Sequence, residues 1–169
     1  MSQHILTVNA GSSSLKFALY DSDTLACLAI GMVDGLGTAP HLVLKDGAGK
    51  RLVSEVLEGE RRVSDQQGAL RIALQAVDRQ FRELTVTAVG HRVVHGGLTF
   101  TDPMLVDDTV YDQLRALVAL APLHQPHNLA GIDAAREAFP SASQVACFDT
   151  GFHRGHLHRR SCGAARKHR

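Results

Sequence analysis

Ile5-Leu6-Thr7-Val8-Asn9-Ala10-Gly11-Ser12-Ser13-Ser14-Leu15-Lys16-Phe17-Ala18-Leu19-Tyr20 decides the reading of this 169-residue chain. Residues 5–9 are a short apolar run, Ala-Gly-Ser-Ser-Ser punctuates it, and residues 15–20 are again mostly apolar, interrupted by Lys16. Two strand-like segments flanking a Gly-Ser turn predict a β-hairpin entering a sheet. The turn also carries chemistry. Glycine permits a tight bend, and successive backbone N–H groups with three hydroxyls can surround phosphate oxygens. Taken alone, the same turn is an ordinary hairpin connection, and the GxxxxGK[ST] spacing of a Walker A loop is absent.

Outward from this hairpin, residues 25–33, 41–45 and 51–57 predict three further strands, separated by breakers such as Asp34-Gly35 and Asp46-Gly47. Five strands thus precede the first convincing helix. That helix is expected to begin at Ser64, with Gln67 as its capping-box partner, to carry Leu70, Leu74, Val77 and Phe81 at helical spacing, and to end near Glu83. Residues 86–94 read as a strand. Asp107 or Asp108 can cap a second helix bearing Val110, Leu114, Leu117 and Val118, residues 128–139 suggest a third, and residues 144–148 are the last strand. Several antiparallel-looking strands followed by alternating helix and strand predict an α/β fold. The expected architecture is a mixed sheet with flanking helices rather than a purely parallel doubly wound sheet.

With 44% hydrophobic residues the chain can form one sizeable core, and its length fits one domain. Up to residue 152, twelve Lys and Arg face seventeen Asp and Glu, a net charge of −5, and the other six Lys and Arg lie in residues 154–169. An acidic body gives no footing for non-specific nucleic-acid binding. Cys27, Cys147 and Cys162 are too few and too irregularly spaced for a disulfide framework or a zinc site. The N-terminus lacks a basic region followed by an apolar stretch, and no apolar run reaches the ~18 residues of a membrane span. The expectation is a soluble protein of a reducing cytoplasm. Ten histidines form no HExxH or comparable ligand pattern.

The string Val8-Asn9-Ala10-Gly11-Ser12-Ser13-Ser14-Leu15-Lys16-Phe17 resembles the N-terminal signature of the acetate and propionate kinase family, part of the sugar kinase, Hsp70 and actin superfamily. Three further strings match in the family's order. Gly90-His91-Arg92-Val93-Val94-His95-Gly96-Gly97 resembles its second signature. Ala121-Pro122-Leu123-His124-Gln125-Pro126-His127-Asn128 resembles its substrate-site loop. Phe148-Asp149-Thr150-Gly151-Phe152-His153 resembles its FDTAFH segment, with Gly151 where alanine is usual.

The resemblance implies an actin-like ATPase or ribonuclease H-like domain, the N-terminal half of a two-domain kinase. It also implies Mg²⁺-dependent transfer of phosphate between ATP and acetate, giving ADP and acetyl phosphate. Propionate or butyrate kinase is the alternative, because a methylene or two in an apolar pocket discriminates only modestly. Joining two anions requires cations first. Arg92 matches the family's substrate-binding arginine, and its planar fork suits a carboxylate or a moving phosphoryl group, although an arginine at a strand end is commonly a surface ion-pair partner. Asp149 matches the active-site carboxylate. Because the acceptor is already ionised at neutral pH, positioning of metal or water suits Asp149 better than general-base work. By the same resemblance Asn9 serves Mg²⁺, Ser12, Ser14 and Lys16 lie near the phosphates, and His124, between two prolines in a rigid loop, donates to the transferring phosphoryl oxygens. Dimers are usual in the family.

After His153 the sequence reads RGHLHRRSCGAARKHR, without an acid or hydrophobic periodicity. The expected division is a domain over residues 1–153 and a basic tail over residues 154–169, read as a truncated or out-of-frame segment. A chain carrying one wall of a cleft is expected to have little activity alone, since such kinases close two domains over their substrates. In the competing reading, a non-catalytic fragment uses the basic tail to bind an anionic partner.

Overall fold

The computed structural model describes residues 3–81, 84–97 and 100–149. The tail expected over residues 154–169 lies outside them. The chain runs β1 (Gln3–Ala10), β2 (Ser14–Asp21), β3 (Cys27–Asp34), β4 (His41–Asp46), β5 (Arg51–Val56), α1 (Gln66–Gln80), β6 (Thr85–Val93), β7 (Met104–Leu105), α2 (Asp108–Ala116), α3 (Gln125–Ala138) and β8 (Ser143–Phe148). The strands form one sheet in the order β5-β4-β3-β2-β1-β6-β8-β7. β1 to β5 form an antiparallel meander, β1, β6 and β8 are parallel, and β7 closes the far edge antiparallel to β8. The mixed sheet and the five strands ahead of the first α-helix follow the sequence reading.

Period-two alternation assigns the two faces. Leu6, Val8 and Ala10 of β1, Leu15, Phe17 and Leu19 of β2, and Ala29 and Val33 of β3 are buried on the helix side, whereas Thr7 and Lys16 point the other way and are exposed. α1 packs on β2, β3 and β4, and α3 packs on β1, β6 and β8 and against α1. The inward residues of α1 include Ala69, Ala73 and Ala76, whose small side chains let the helix sit close to the strands. α2 packs on α3 over a second core that contains Val93, Leu114, Ile132 and the stacked rings of Phe100 and Phe148, 5.2 Å apart. No described helix covers the opposite face of the sheet, where Ile30 remains 51% exposed.

Local chemistry moves several expected boundaries. α1 is capped by Asp65, which accepts from the Gly68 N–H at 2.7 Å, and not by Ser64 with Gln67, because Asp65 places its carboxylate on the free first-turn amides. α3 begins at Gln125, with Pro126 in its first turn, so that Asn128 is inside the helix and not at its start. β3 begins at Cys27, after Leu25 turns through a positive φ of 56° in the hairpin. The two-residue strand β7 has too little sequence to show a pattern. Among the described residues no helix is long and apolar enough to cross a membrane.

Phe17 and Gly31 are cross-strand partners, and a Cβ on Gly31 would lie 2.1 Å from Phe17 Cζ. The phenyl ring therefore occupies the space of the missing side chain. Gly31→Ala should cost about 1–3 kcal/mol, as overpacking does, and Phe17→Leu should recover most of that loss in a double-mutant cycle read by thermal melting. Additive losses would show that ring and backbone are not in register.

His91 is buried between β6 and β8 and pairs with Gln144 Oε1 through Nε2 at 2.8 Å. Burial pushes its pKa below the ordinary 6.5, only partly offset by that hydrogen bond. Folded protein therefore holds His91 neutral while unfolded chain protonates it, so its stabilisation is full above pH 6.5 and lost as pH falls toward the lowered folded value. Melting between pH 7.5 and 5 should show a decline with acidification that is shallower in His91→Gln. Equal slopes would remove His91 from the acid response.

Candidate active site

The parallel strands β1, β6 and β8 end at the same edge of the sheet, next to the antiparallel strand β2. In open α/β sheets, the crevice beyond the carboxyl ends of parallel strands, where the chain direction switches, is the usual place for ligands. Val8 pairs with His91 in parallel register, which sets Asn9 beside Arg92, and Asn9 pairs with Lys16 across the hairpin. Arg92 in turn pairs with Cys147. Asn9, Lys16, Arg92 and Cys147 therefore converge from four strands on the open face.

They line a cavity of about 770 Å³ that spreads across that face. Its floor is apolar, with Ala18, Ile30, Met32 and Val43, and its cations are Lys16, Lys45, Arg51 and Arg92. Among the described residues no Asp or Glu lines it. With low-dielectric walls and one sign of charge, such a concavity concentrates anions.

Arg92 is held at one edge of its fork. Its Nε donates to Asp149 Oδ1 at 3.0 Å and its Nη2 to Asp149 Oδ2 at 2.7 Å. The pairing with Asp149 raises the already high pKa of the guanidinium. At 54% and 31% side-chain exposure this pair adds little to stability, so its effect is orientation. Asp149 occupies the Nε edge, and the Nη1 edge has no partner among the described residues. A planar guanidinium held in this way can present its end to a second carboxylate or to a phosphoryl group.

The Gly-Ser turn closes with Gly11 N–H donating to Ser14 O at 2.8 Å. Gln66, at the start of α1, donates its side-chain amide to Gly11 O. Ser14 is half-buried and Ser12 is exposed, and neither lines the cavity. His124 is not in a free-standing loop. It is the N-cap of α3, exposed, without a side-chain capping bond, and it too is absent from the cavity wall. Of the seven residues singled out from the sequence, three share the cavity and Asp149 joins them through Arg92.

Sequence reasoning passed over Lys45 on β4 and Arg51 on the edge strand β5, because a charged residue on a strand has no signature until the cavity is seen. It passed over Gln66 because glutamine at a helix start reads as capping, and over Cys147, which is exposed on the cavity wall.

Among the described residues no three His, Cys, Asp or Glu side chains converge on one point. Asn9 offers one neutral amide oxygen, and both oxygens of Asp149 are engaged by Arg92. That donor set does not make a protein cage, but it fits Mg²⁺, which keeps its waters and takes most of its ligands from substrate phosphates.

Residues 4–160 match the model of the Acetokinase family. The chain is 42% identical over 164 residues to an acetate kinase of Methylocella silvestris, covering 92% of this chain and 41% of that protein. It is 44% identical over 162 residues to an acetate kinase of Rhizobium meliloti, covering 95% and 41%. Its fold is similar to the crystal structure of a Francisella tularensis propionate kinase, with a TM-score of 0.76 and 36% identity over 90% of this chain and 38% of that one. It is also similar to Porphyromonas gingivalis acetate kinase, with a TM-score of 0.77, 30% identity and coverage of 89% and 38%. The chain thus spans about two fifths of the length of the curated relatives it matches. With residues 4–160 matched by the family model, and with three of the four signature strings at the ends of β1, β6 and β8 and the fourth at the start of α3, the chain belongs to the acetokinase family.

Proposed function

We propose that this chain carries the carboxylate- and phosphate-binding part of an acetate kinase-type phosphotransferase, exchanging ATP and acetate for ADP and acetyl phosphate. The observation that carries this reading is Arg92, held edge-on by Asp149 in a cavity whose lining among the described residues has four Lys and Arg side chains and no carboxylate. Two anions meet in the reaction, and their mutual repulsion is the first barrier to relieve.

In this reading the Nη1 edge of Arg92 receives the acetate carboxylate. One acetate oxygen forms a bond to the γ-phosphorus, the bond from that phosphorus to the bridging oxygen breaks, and the electron pair leaves on ADP. Acetate is ionised at neutral pH, so no base is required, and Asp149 acts by fixing Arg92 and by ordering water or metal ligands. Lys16, with Ser12 and Ser14 on the turn, faces the nucleotide phosphates, and His124 donates to the transferring phosphoryl oxygens from the start of α3. Mg²⁺, when bound, neutralises charge on the phosphate oxygens, and Asn9 is the residue that would hold it. Acetate, propionate or another short acid can fill the acceptor position. A cytoplasmic homodimer is the assembly we assign to the intact enzyme.

Grafting residues 1–153 of this chain onto the remaining portion of the Rhizobium meliloti acetate kinase tests the reading directly. Hydroxylamine trapping of the acyl phosphate, with acetate, propionate and butyrate offered in turn, should detect turnover, and Arg92→Leu should lower kcat/KM by about 100-fold or more, as loss of a charge-stabilising donor does. A folded chimera that binds ATP and phosphorylates none of the three acids would defeat the assignment.

A further inference from the structure

Asn128 lies inside α3, 5% exposed, with both ends of its side-chain amide in use. Its Nδ2 donates to Ala10 O at 2.9 Å and its Oδ1 accepts from the Val94 N–H at 3.1 Å. Ala10 is the last residue of β1, directly before the Gly-Ser turn, and Val94 follows the last residue of β6, two positions after Arg92. The ladder between β1 and β6 ends at Val8 and His91. Beyond that point the two strands no longer bond to each other, and Asn128 supplies the donor and the acceptor that the next rungs would have provided. Buried backbone groups left unpaired there would be destabilising.

The next turn of α3 strengthens the attachment. Gly131 is on the same helix face, and a Cβ there would lie 2.8 Å from the Ala10 Cβ. The helix therefore sits against the end of β1 closely enough for the short Asn128 side chain to reach both strands. On the other side, Gln66 of α1 holds Gly11 O. The carbonyls of Ala10 and Gly11, which lead into the turn, are thus each fixed by a buried side-chain amide from a different helix.

We propose that Asn128 is a positioning residue, which locks the Gly11–Ser14 turn to the strand end that carries Arg92 so that the phosphate-facing and carboxylate-facing elements keep one relative geometry. It acts through its two backbone partners and touches no substrate. The proposal rests on the reading of Arg92 and the turn as binding elements given under Proposed function.

Amide hydrogen exchange in the 169-residue chain tests it without any ligand, with Ala73 in α1 reporting the general stability. Asn128→Asp keeps an acceptor for Val94 at every pH but offers a donor to Ala10 only when its carboxyl is protonated. At pH 8 the Gly11 amide should exchange at least tenfold faster than in wild type after correction by Ala73, while Val94 stays protected, and acidification should restore the protection of Gly11. Asn128→Leu should release both amides. Gly131→Ala, which leaves Asn128 in place but pushes α3 off Ala10, should release Gly11 alone and carries the test if the Asn128 variants fail to fold. If Gly11 and Val94 change only as much as Ala73 in every variant that folds, Asn128 is an ordinary core amide and the proposal is overturned. A parallel titration with acetyl phosphate separates the two claims. Wild-type chain that shows the exchange pattern but does not bind acetyl phosphate would weaken the functional reading and leave the positioning role standing, whereas binding unchanged in Asn128→Asp would count against the positioning role.

Discussion

The parallel pairing of β1 with β6 is the interaction on which the rest of the molecule depends, because it reverses the sense of a sheet that has been antiparallel up to that point. An antiparallel continuation would send the end of β6 to the opposite edge and separate Arg92 from Asn9. The parallel crossover through α1 instead brings both strand ends to one edge, and β8 repeats the step through α3. Each crossover helix must lie on a face of the sheet, and both lie on the same one. Asn9, Lys16 and Arg92 consequently collect on the face that the described helices leave open.

The ion pair between Arg92 and Asp149 orients the guanidinium more than it stabilises the fold. Half exposed, it gains little from attraction in water, and a larger gain would require burial that carries its own desolvation cost. What remains is geometric. Two parallel hydrogen bonds leave the guanidinium one orientation, and a rotamer-rich side chain fixed before a ligand arrives spares the ligand that ordering cost.

Much of this was legible in the sequence, for physical reasons that differ from element to element. The hairpin around the Gly-Ser turn was readable because two apolar runs, the second interrupted by Lys16, flank that turn, and α1 because Leu70, Leu74 and Val77 repeat at helical spacing. The cap of α1 was misplaced by one residue because Ser64 and Asp65 are both good caps, and only the backbone geometry chooses between them. Asn128 was read as the start of a helix, its favoured local role, when tertiary partners hold it in the second turn. His124 was placed correctly in the chain but in the wrong setting, since prolines at 122 and 126 suggest a loop and yet the second of them sits comfortably in a first helical turn. The cationic lining contributed by Lys45 and Arg51 had no local signature, because it exists only once β4 and β5 lie beside β3.

The same topology sets an order of assembly. The meander from β1 to β5 is built wholly from neighbours in sequence, each strand pairing with the next, so the chain can form it by closing short loops. The pairing of Val8 with His91 closes a far longer loop and is rewarded only after α1 has folded onto the meander. Folding thus has a fast local half and a slow distant half, joined at β1. Until the second half arrives, one side of β1 is an unpaired edge of backbone N–H and C=O groups, and such an edge is where a nascent chain is most open to pairing with a neighbour.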